Sequence, residues 1–159
     1  MLHIFIMRHG EAEAVAETDL LRELTPSGQQ DILQMVADNA DDLALVDTLW
    51  VSPYMRAQQT AQLVATQLPK PIQTQTFLTP AGNPKDVISA LAEHSDQTIL
   101  IVSHQPLIGT VVDNLAGLEP GHYRMGTGAL AYIQTDIYAS ACGELQWLRQ
   151  PESVCPSDE

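Results

Sequence analysis

Short apolar runs rich in β-forming residues alternate along the chain with stretches of helical period. Leu2 to Met7, Thr48 to Ser52 and Ile99 to Ser103 are nearly unbroken apolar runs, the pattern of strands covered on both faces. These three are expected at the centre of one sheet. Gln73 to Leu78 alternates with threonine, while Ala129 to Thr135 and Glu144 to Leu148 read as later strands at or near an edge. Helix signals fill the gaps. Thr25-Pro26 supplies an N-cap and a proline for the first turn, after which Ile32, Leu33, Val36 and Ala40 share one face. Ser52-Pro53 opens a second helix in the same way, through Ala57, Ala61, Val64 and Leu68 to a stop at Pro69. Asn83-Pro84 opens a third through Val87, Ile88 and Leu91, and Gln105-Pro106 a fourth through Leu107, Ile108, Val111, Val112 and Leu115 before Gly117. The alternation predicts an α/β fold: a three-layer α/β/α sandwich around a mainly parallel central sheet.

At 159 residues and 45% apolar composition the chain suits a single domain with one core, needing neither metal nor disulfide as a staple. Residues 1–149 are expected to form that domain, and the polar stretch from Gln150 to Glu159 a frayed tail. The longest early apolar run stops at Arg8, too short for a signal-peptide core or a membrane span. Cys142 and Cys155 show no CxxC spacing, which suggests neither a zinc site nor a disulfide framework. A soluble cytoplasmic monomer is expected. The net charge of −13 disfavours nucleic acid and anionic membrane as partners.

Against that acidic background, local cations stand out. Ligand sites in open α/β sheets lie off the carboxyl ends of the strands, and the three central strands are followed by Arg8-His9-Gly10, by Ser52-Pro53-Tyr54-Met55-Arg56 and by His104-Gln105-Pro106. Two arginines and two histidines therefore converge on one sheet edge. Arginine forks and helix N-termini both suit a phosphate. A neutral imidazole beside them is a competent phosphorus nucleophile, and neighbouring arginines favour the neutral form. His3, His94 and His122 read as satisfied or solvated side chains, and Arg124 and Arg149 as solvent charges.

These residues resemble the histidine phosphatase superfamily, which includes the phosphoglycerate mutases and many acid phosphatases. The resemblance rests on Arg8-His9-Gly10, then Arg22-Glu23-Leu24-Thr25-Pro26-Ser27-Gly28, then Ser52-Pro53-Tyr54-Met55-Arg56-Ala57-Gln58-Gln59-Thr60-Ala61, then Val102-Ser103-His104, in the family's order and over most of the chain. The small size, Leu78-Thr79-Pro80-Ala81-Gly82 and Ser103-His104-Gln105-Pro106-Leu107-Ile108-Gly109 look most like the SixA-type phosphohistidine phosphatases. The resemblance implies His9 as a nucleophile that becomes a phosphohistidine intermediate, with Arg8, Arg56 and His104 around the phosphoryl group and Arg22 and Ser52 as substrate contacts. Arg22 reaches the same anion or anchors the Thr25 helix; both readings stand. No metal or cofactor is needed.

One position departs from the family. Most members carry a glutamate as general acid where this chain has Thr79. General acid catalysis contributes about 10² to 10⁴-fold, so an alkoxide leaving group would suffer, whereas an imidazole needs only a proton on its remote nitrogen, whose pKa is near neutrality. A chain this short also has no insertion from which to build a lid, so the site is expected to be open and suited to a phosphohistidine presented on a protein, such as a phosphotransfer domain or phosphocarrier. The strong acidity points to a partner with a basic surface around its phosphate. Two alternatives remain: a small-molecule phosphomonoesterase or mutase using Glu11 or Glu13 as the acid, and a module that binds phosphohistidine without turnover.

Overall fold

A computed structural model describes residues 1–152 of the chain. Six strands form one sheet: β1 (Leu2–Arg8), β2 (Thr48–Val51), β3 (Ile72–Thr74), β4 (Ile99–Ser103), β5 (Leu130–Thr135) and β6 (Gly143–Arg149), in the order β3-β2-β4-β1-β5-β6. The first four pair in parallel, and β5 and β6 extend the sheet antiparallel from β1. The three apolar runs occupy the middle, as their two-sided burial requires. Side chains alternate across the sheet. Ile4, Ile6, Trp50, Ile99 and Ile101 face α4 (Pro84–Glu93) and α5 (Leu107–Ala116), while Phe5, Met7, Leu49, Leu100 and Val102 face α1 (Pro26–Asp38) and α3 (Met55–Gln67). One core thus covers each side, completing three layers. A short helix, α2 (Ala40–Leu43), follows α1.

The helix openings follow the sequence except at Ser52-Pro53 and at Gln105-Pro106, where α5 begins at Leu107 behind Pro106. Thr25 and Asn83 cap α1 and α4 through their side chains, each with proline in the first turn. Ser52-Pro53, however, does not open α3. That helix begins at Met55 behind Tyr54, because the Ser52 hydroxyl accepts the Tyr54 N–H and closes a turn ahead of it. Ala40 leaves the expected buried face of α1, since the helix ends at Asp38 and the Asn39 side chain bonds back to the Met35 carbonyl. Gln73 to Leu78 divides into the exposed edge strand β3 and a single 3₁₀ turn over Thr76–Leu78.

At the C-terminus, Gln150 bonds the Gly126 N–H and Pro151 is buried, so the first residues of the expected tail are packed; residues 153–159, including Cys155, lie outside the described residues. Arg149 is not a bare solvent charge, for it stacks over the Trp147 ring at 4.0 Å and bonds the Asn39 side chain. Among the described residues no helix is long and apolar enough to cross a membrane.

Candidate active site

Strand register brings the sequence-expected residues together. Arg8 pairs with Ser103 and Val51 with Val102, so the chain leaves β1, β4 and β2 side by side at His9, His104 and Ser52. His9 is fastened from both sides: its N–H donates to the Ser103 carbonyl at 3.0 Å and its carbonyl accepts the Gly128 N–H at 2.9 Å. The next turn packs so closely on α1 that a Cβ on Gly28 would lie 2.3 Å from the Glu11 carbonyl oxygen. Only glycine lets the helix approach there. Thr60 ties α3 to the same turn, accepting the Gly10 N–H at 3.1 Å while donating to the Arg56 carbonyl at 2.7 Å.

The His9 ring is oriented by its neighbours. Nδ1 lies 2.7 Å from the Gly10 carbonyl oxygen, which can only accept, so Nδ1 carries the proton and Nε2 keeps its lone pair. Arg56 donates its Nε–H to that lone pair at 3.3 Å. His104 stands beside it with ring centroids 5.1 Å apart. Its Nε2 lies 2.7 Å from Ser52 Oγ, and its Nδ1 is buried with no protein partner. Arg8 bonds the Met125 carbonyl through Nη1 at 3.0 Å, leaving its buried Nε unpaired as well. Buried polar groups are normally satisfied. Two unpaired nitrogens near the neutral His9 ring are the features of a cradle for an oxyanion.

Burial and charge act in the same direction here. The His9 pKa is pushed down to about 3, first by burial and then by His104, Arg8 and Arg56, against the opposing effect of the Gly10 carbonyl. His104 is pushed down to about 3 as well, by burial and then Arg56 and Arg8. Both rings are therefore neutral at physiological pH. Burial and the neighbouring Arg56 and Arg22 lower the Arg8 pKa, from a value so high that the guanidinium stays charged.

Not every expected residue faces His9. The Ser52 hydroxyl, expected as a substrate contact, is fully buried and used twice, by His104 and by the Tyr54 N–H. Arg22 is held by the Glu13 carbonyl at 2.7 Å and by Asp19 at 3.1 Å, so it braces the loop between β1 and α1. The acid candidates are placed similarly: Glu11 accepts the Thr25 hydroxyl at 2.8 Å, and Glu13 supplies its backbone carbonyl to Arg22. Thr79 follows Leu78, whose carbonyl accepts the Ser103 hydroxyl at 2.6 Å.

Three residues were missed from sequence. Asp19 bonds Arg56 through its backbone carbonyl at 2.8 Å and its carboxylate at 3.3 Å. Tyr54 lies under Arg56 at 5.0 Å and edge-on to His104. Asp113 is fully buried and accepts the N–H groups of Gly121, His122 and Tyr123, fixing the loop that delivers Met125 to Arg8. A groove of about 1000 Å³ runs from Arg8 between that loop and the start of α5, past Glu11, Gln105, Tyr123 and Arg124. Among the described residues no cluster of His, Cys, Asp or Glu is arranged to hold a metal ion.

Comparison with known proteins gives concordant findings. The family model of the histidine phosphatase superfamily, branch 1, matches residues 4–79. The phosphohistidine phosphatase SixA of Escherichia coli is 31% identical over 156 residues, covering 94% of each chain. A SixA homologue from Haemophilus influenzae is 37% identical over 128 residues, covering 73% of this chain and 78% of its own. Among solved structures, the protein histidine phosphatase SixA complexed with tungstate superposes with a TM-score of 0.86 at 30% identity, over 94% of this chain and 97% of that one.

Proposed function

The chain belongs to the histidine phosphatase superfamily, and we propose that it is a protein phosphohistidine phosphatase working through a covalent phospho-His9 intermediate. The observation that carries this reading is the His9 ring itself, whose Nδ1 is committed to the Gly10 carbonyl and whose neutral Nε2 looks onto Arg56 beside His104. The SixA relatives and the tungstate held by one of them, a tetrahedral oxyanion, support it.

Nε2 of His9 attacks phosphorus in line with the departing nitrogen. Phosphoryl transfer passes through a loose transition state with charge spread over the equatorial oxygens, so catalysis is mostly positioning and charge stabilisation. Arg8 and Arg56 supply positive charge, and His104 supplies an N–H from Nδ1. Arg56 moves its Nε–H from the His9 lone pair to a phosphoryl oxygen as the new bond forms. Water then attacks phospho-His9, releasing inorganic phosphate and restoring the neutral ring. Exchange of one phosphorus–nitrogen bond for another makes the first step nearly thermoneutral, and no protein acid is required of Thr79.

The substrate is a phosphohistidine carried by a protein, a phosphotransfer domain or phosphocarrier. The groove beside Arg8 is far larger than a phosphoryl group and can seat the polypeptide that flanks it. The test is phosphate release from a phosphohistidine-bearing protein by the wild type and His9→Ala. Release that depends on His9 supports the reading; equal release by both variants removes the nucleophile and the reading with it.

A further inference from the structure

The loop between β1 and α1 places one carboxylate against the catalytic arginines. Asp19 Oδ2 lies 3.3 Å from Arg56 Nη2, and Asp19 Oδ1 lies 3.1 Å from Arg22 Nη1. Arg56 reaches His9 Nε2 in turn, so Asp19 is separated from the nucleophile by a single guanidinium. The Asp19 side chain is 55% exposed where that of Arg56 is 6% exposed, so the carboxylate stands on the solvent side of the site. In an in-line displacement the leaving group departs on the face of phosphorus opposite Nε2. The nucleophile is buried, so that face opens toward solvent.

A fixed anion in this place is costly for a phosphatase. Arg22 and Arg56 keep the Asp19 carboxyl ionised, holding its pKa below the usual carboxylate value, so it repels the incoming phosphate and cannot donate a proton. Its presence becomes favourable if the substrate brings a cation to it. Phosphohistidine does so: protonated on the ring nitrogen remote from phosphorus, its ring carries a positive charge until the phosphorus–nitrogen bond breaks. Serine phosphates and sugar phosphates carry no such charge.

Resting on the phosphohistidine reading, we propose that the Asp19 carboxylate accepts the remote N–H of the substrate's protonated phosphohistidine ring and thereby sets the preference of the site for phosphohistidine over phosphate esters. The balance is simple. The phosphorus–nitrogen bond of the substrate breaks with its electron pair returning to the ring, the remote nitrogen keeps its proton, and a neutral imidazole leaves while His9 Nε2 gains the phosphoryl group. Asp19 holds the proton on the ring until that electron pair arrives, so the group departs as a neutral imidazole rather than as an anion, without any proton being transferred from the protein. The charged and titratable groups that act on it are Arg22, Arg56 and His104, the two arginines cationic and His104 neutral, so no second carboxylate from these contacts does the same work.

The test compares wild type, Asp19→Asn and Asp19→Glu on free phosphohistidine and on p-nitrophenyl phosphate, whose leaving group departs without a proton. Asp19→Asn is expected to lower the ratio of kcat/KM for phosphohistidine to that for p-nitrophenyl phosphate at least tenfold, with Asp19→Glu recovering much of it. The high-pH limb of phosphohistidine turnover should move to lower pH in Asp19→Asn, with no matching shift for p-nitrophenyl phosphate. An unchanged ratio overturns the proposal: a parallel fall means that Asp19 only holds Arg56, and a parallel rise that it only competes with phosphate. Loss of His9-dependent phosphohistidine turnover in the wild type would instead strike the underlying function, so the two failures are distinguishable.

Discussion

The Ser52 hydroxyl fixes the tautomer of His104. Its oxygen accepts the Tyr54 N–H at 3.2 Å, and among the described residues the one acceptor its proton meets is His104 Nε2, 2.7 Å away. The ring proton of neutral His104 therefore sits on Nδ1, the nitrogen without a protein partner. The free donor of the ring is thus set by a hydroxyl that is itself fully buried.

Ser52→Ala is accordingly expected to lower kcat about tenfold, equivalent to about 1.4 kcal/mol of transition-state stabilisation, with a smaller effect on KM. The lost buried hydrogen bonds should cost about 1 to 2 kcal/mol of stability. Steady-state kinetics beside urea unfolding separates the two effects. A kcat equal to that of the wild type would show that His104 needs no such orientation.

Much of this site was legible in the sequence because its members follow runs whose two-sided burial makes them unmistakable. Ile99 to Ser103 forms β4 with the expected bounds, and Arg8, His9 and His104 follow from where such strands end. The role of Ser52 was not legible, since Ser-Pro reads as a helix cap and only the fold shows its hydroxyl turned to Tyr54 and His104. Asp19 sits in a polar stretch without periodicity, and its pairing with Arg56 spans 37 residues. Asp113 lies among the apolar positions of α5, where nothing in the pattern separates a carboxylate that caps a distant loop from a solvated one.

Acid should destabilise the fold through its two buried histidines. His9 and His104 take up protons near pH 3 in the folded state but near 6.5 when unfolded. Above pH 6.5 both states hold neutral rings and nothing is lost. As the pH falls from about 6.5 toward 3, the unfolded chain binds protons that the folded chain does not, so stability declines through that window, by up to about 1.4 kcal/mol per pH unit for each ring. Urea unfolding at pH 7.5, 6 and 5 measures the slope, and His104→Asn should reduce it by about one proton. An equal slope in the variant would contradict the assignment of His104 as a buried neutral ring.

Asp113→Asn should act at a distance. Its two oxygens accept three backbone N–H groups of the loop that carries Met125, and an amide nitrogen in place of one oxygen would face donors. A loss of about 2 to 3 kcal/mol is expected. Arg8, held by the Met125 carbonyl, loses its positioning, so KM for a phosphohistidine protein should rise several-fold. Thermal unfolding and the KM for that substrate, measured on the same samples, check both parts; an unchanged KM in a destabilised variant would detach the loop from Arg8.

The covalent phospho-His9 intermediate is the step on which the proposed function depends. A rapid base quench during turnover of a ³²P-labelled phosphohistidine protein, followed by peptide mapping, tests it directly. A base-stable, acid-labile label is expected on the peptide that contains His9, absent from His9→Ala. Full turnover with no label on the chain, or with the label on a peptide lacking His9, would contradict it.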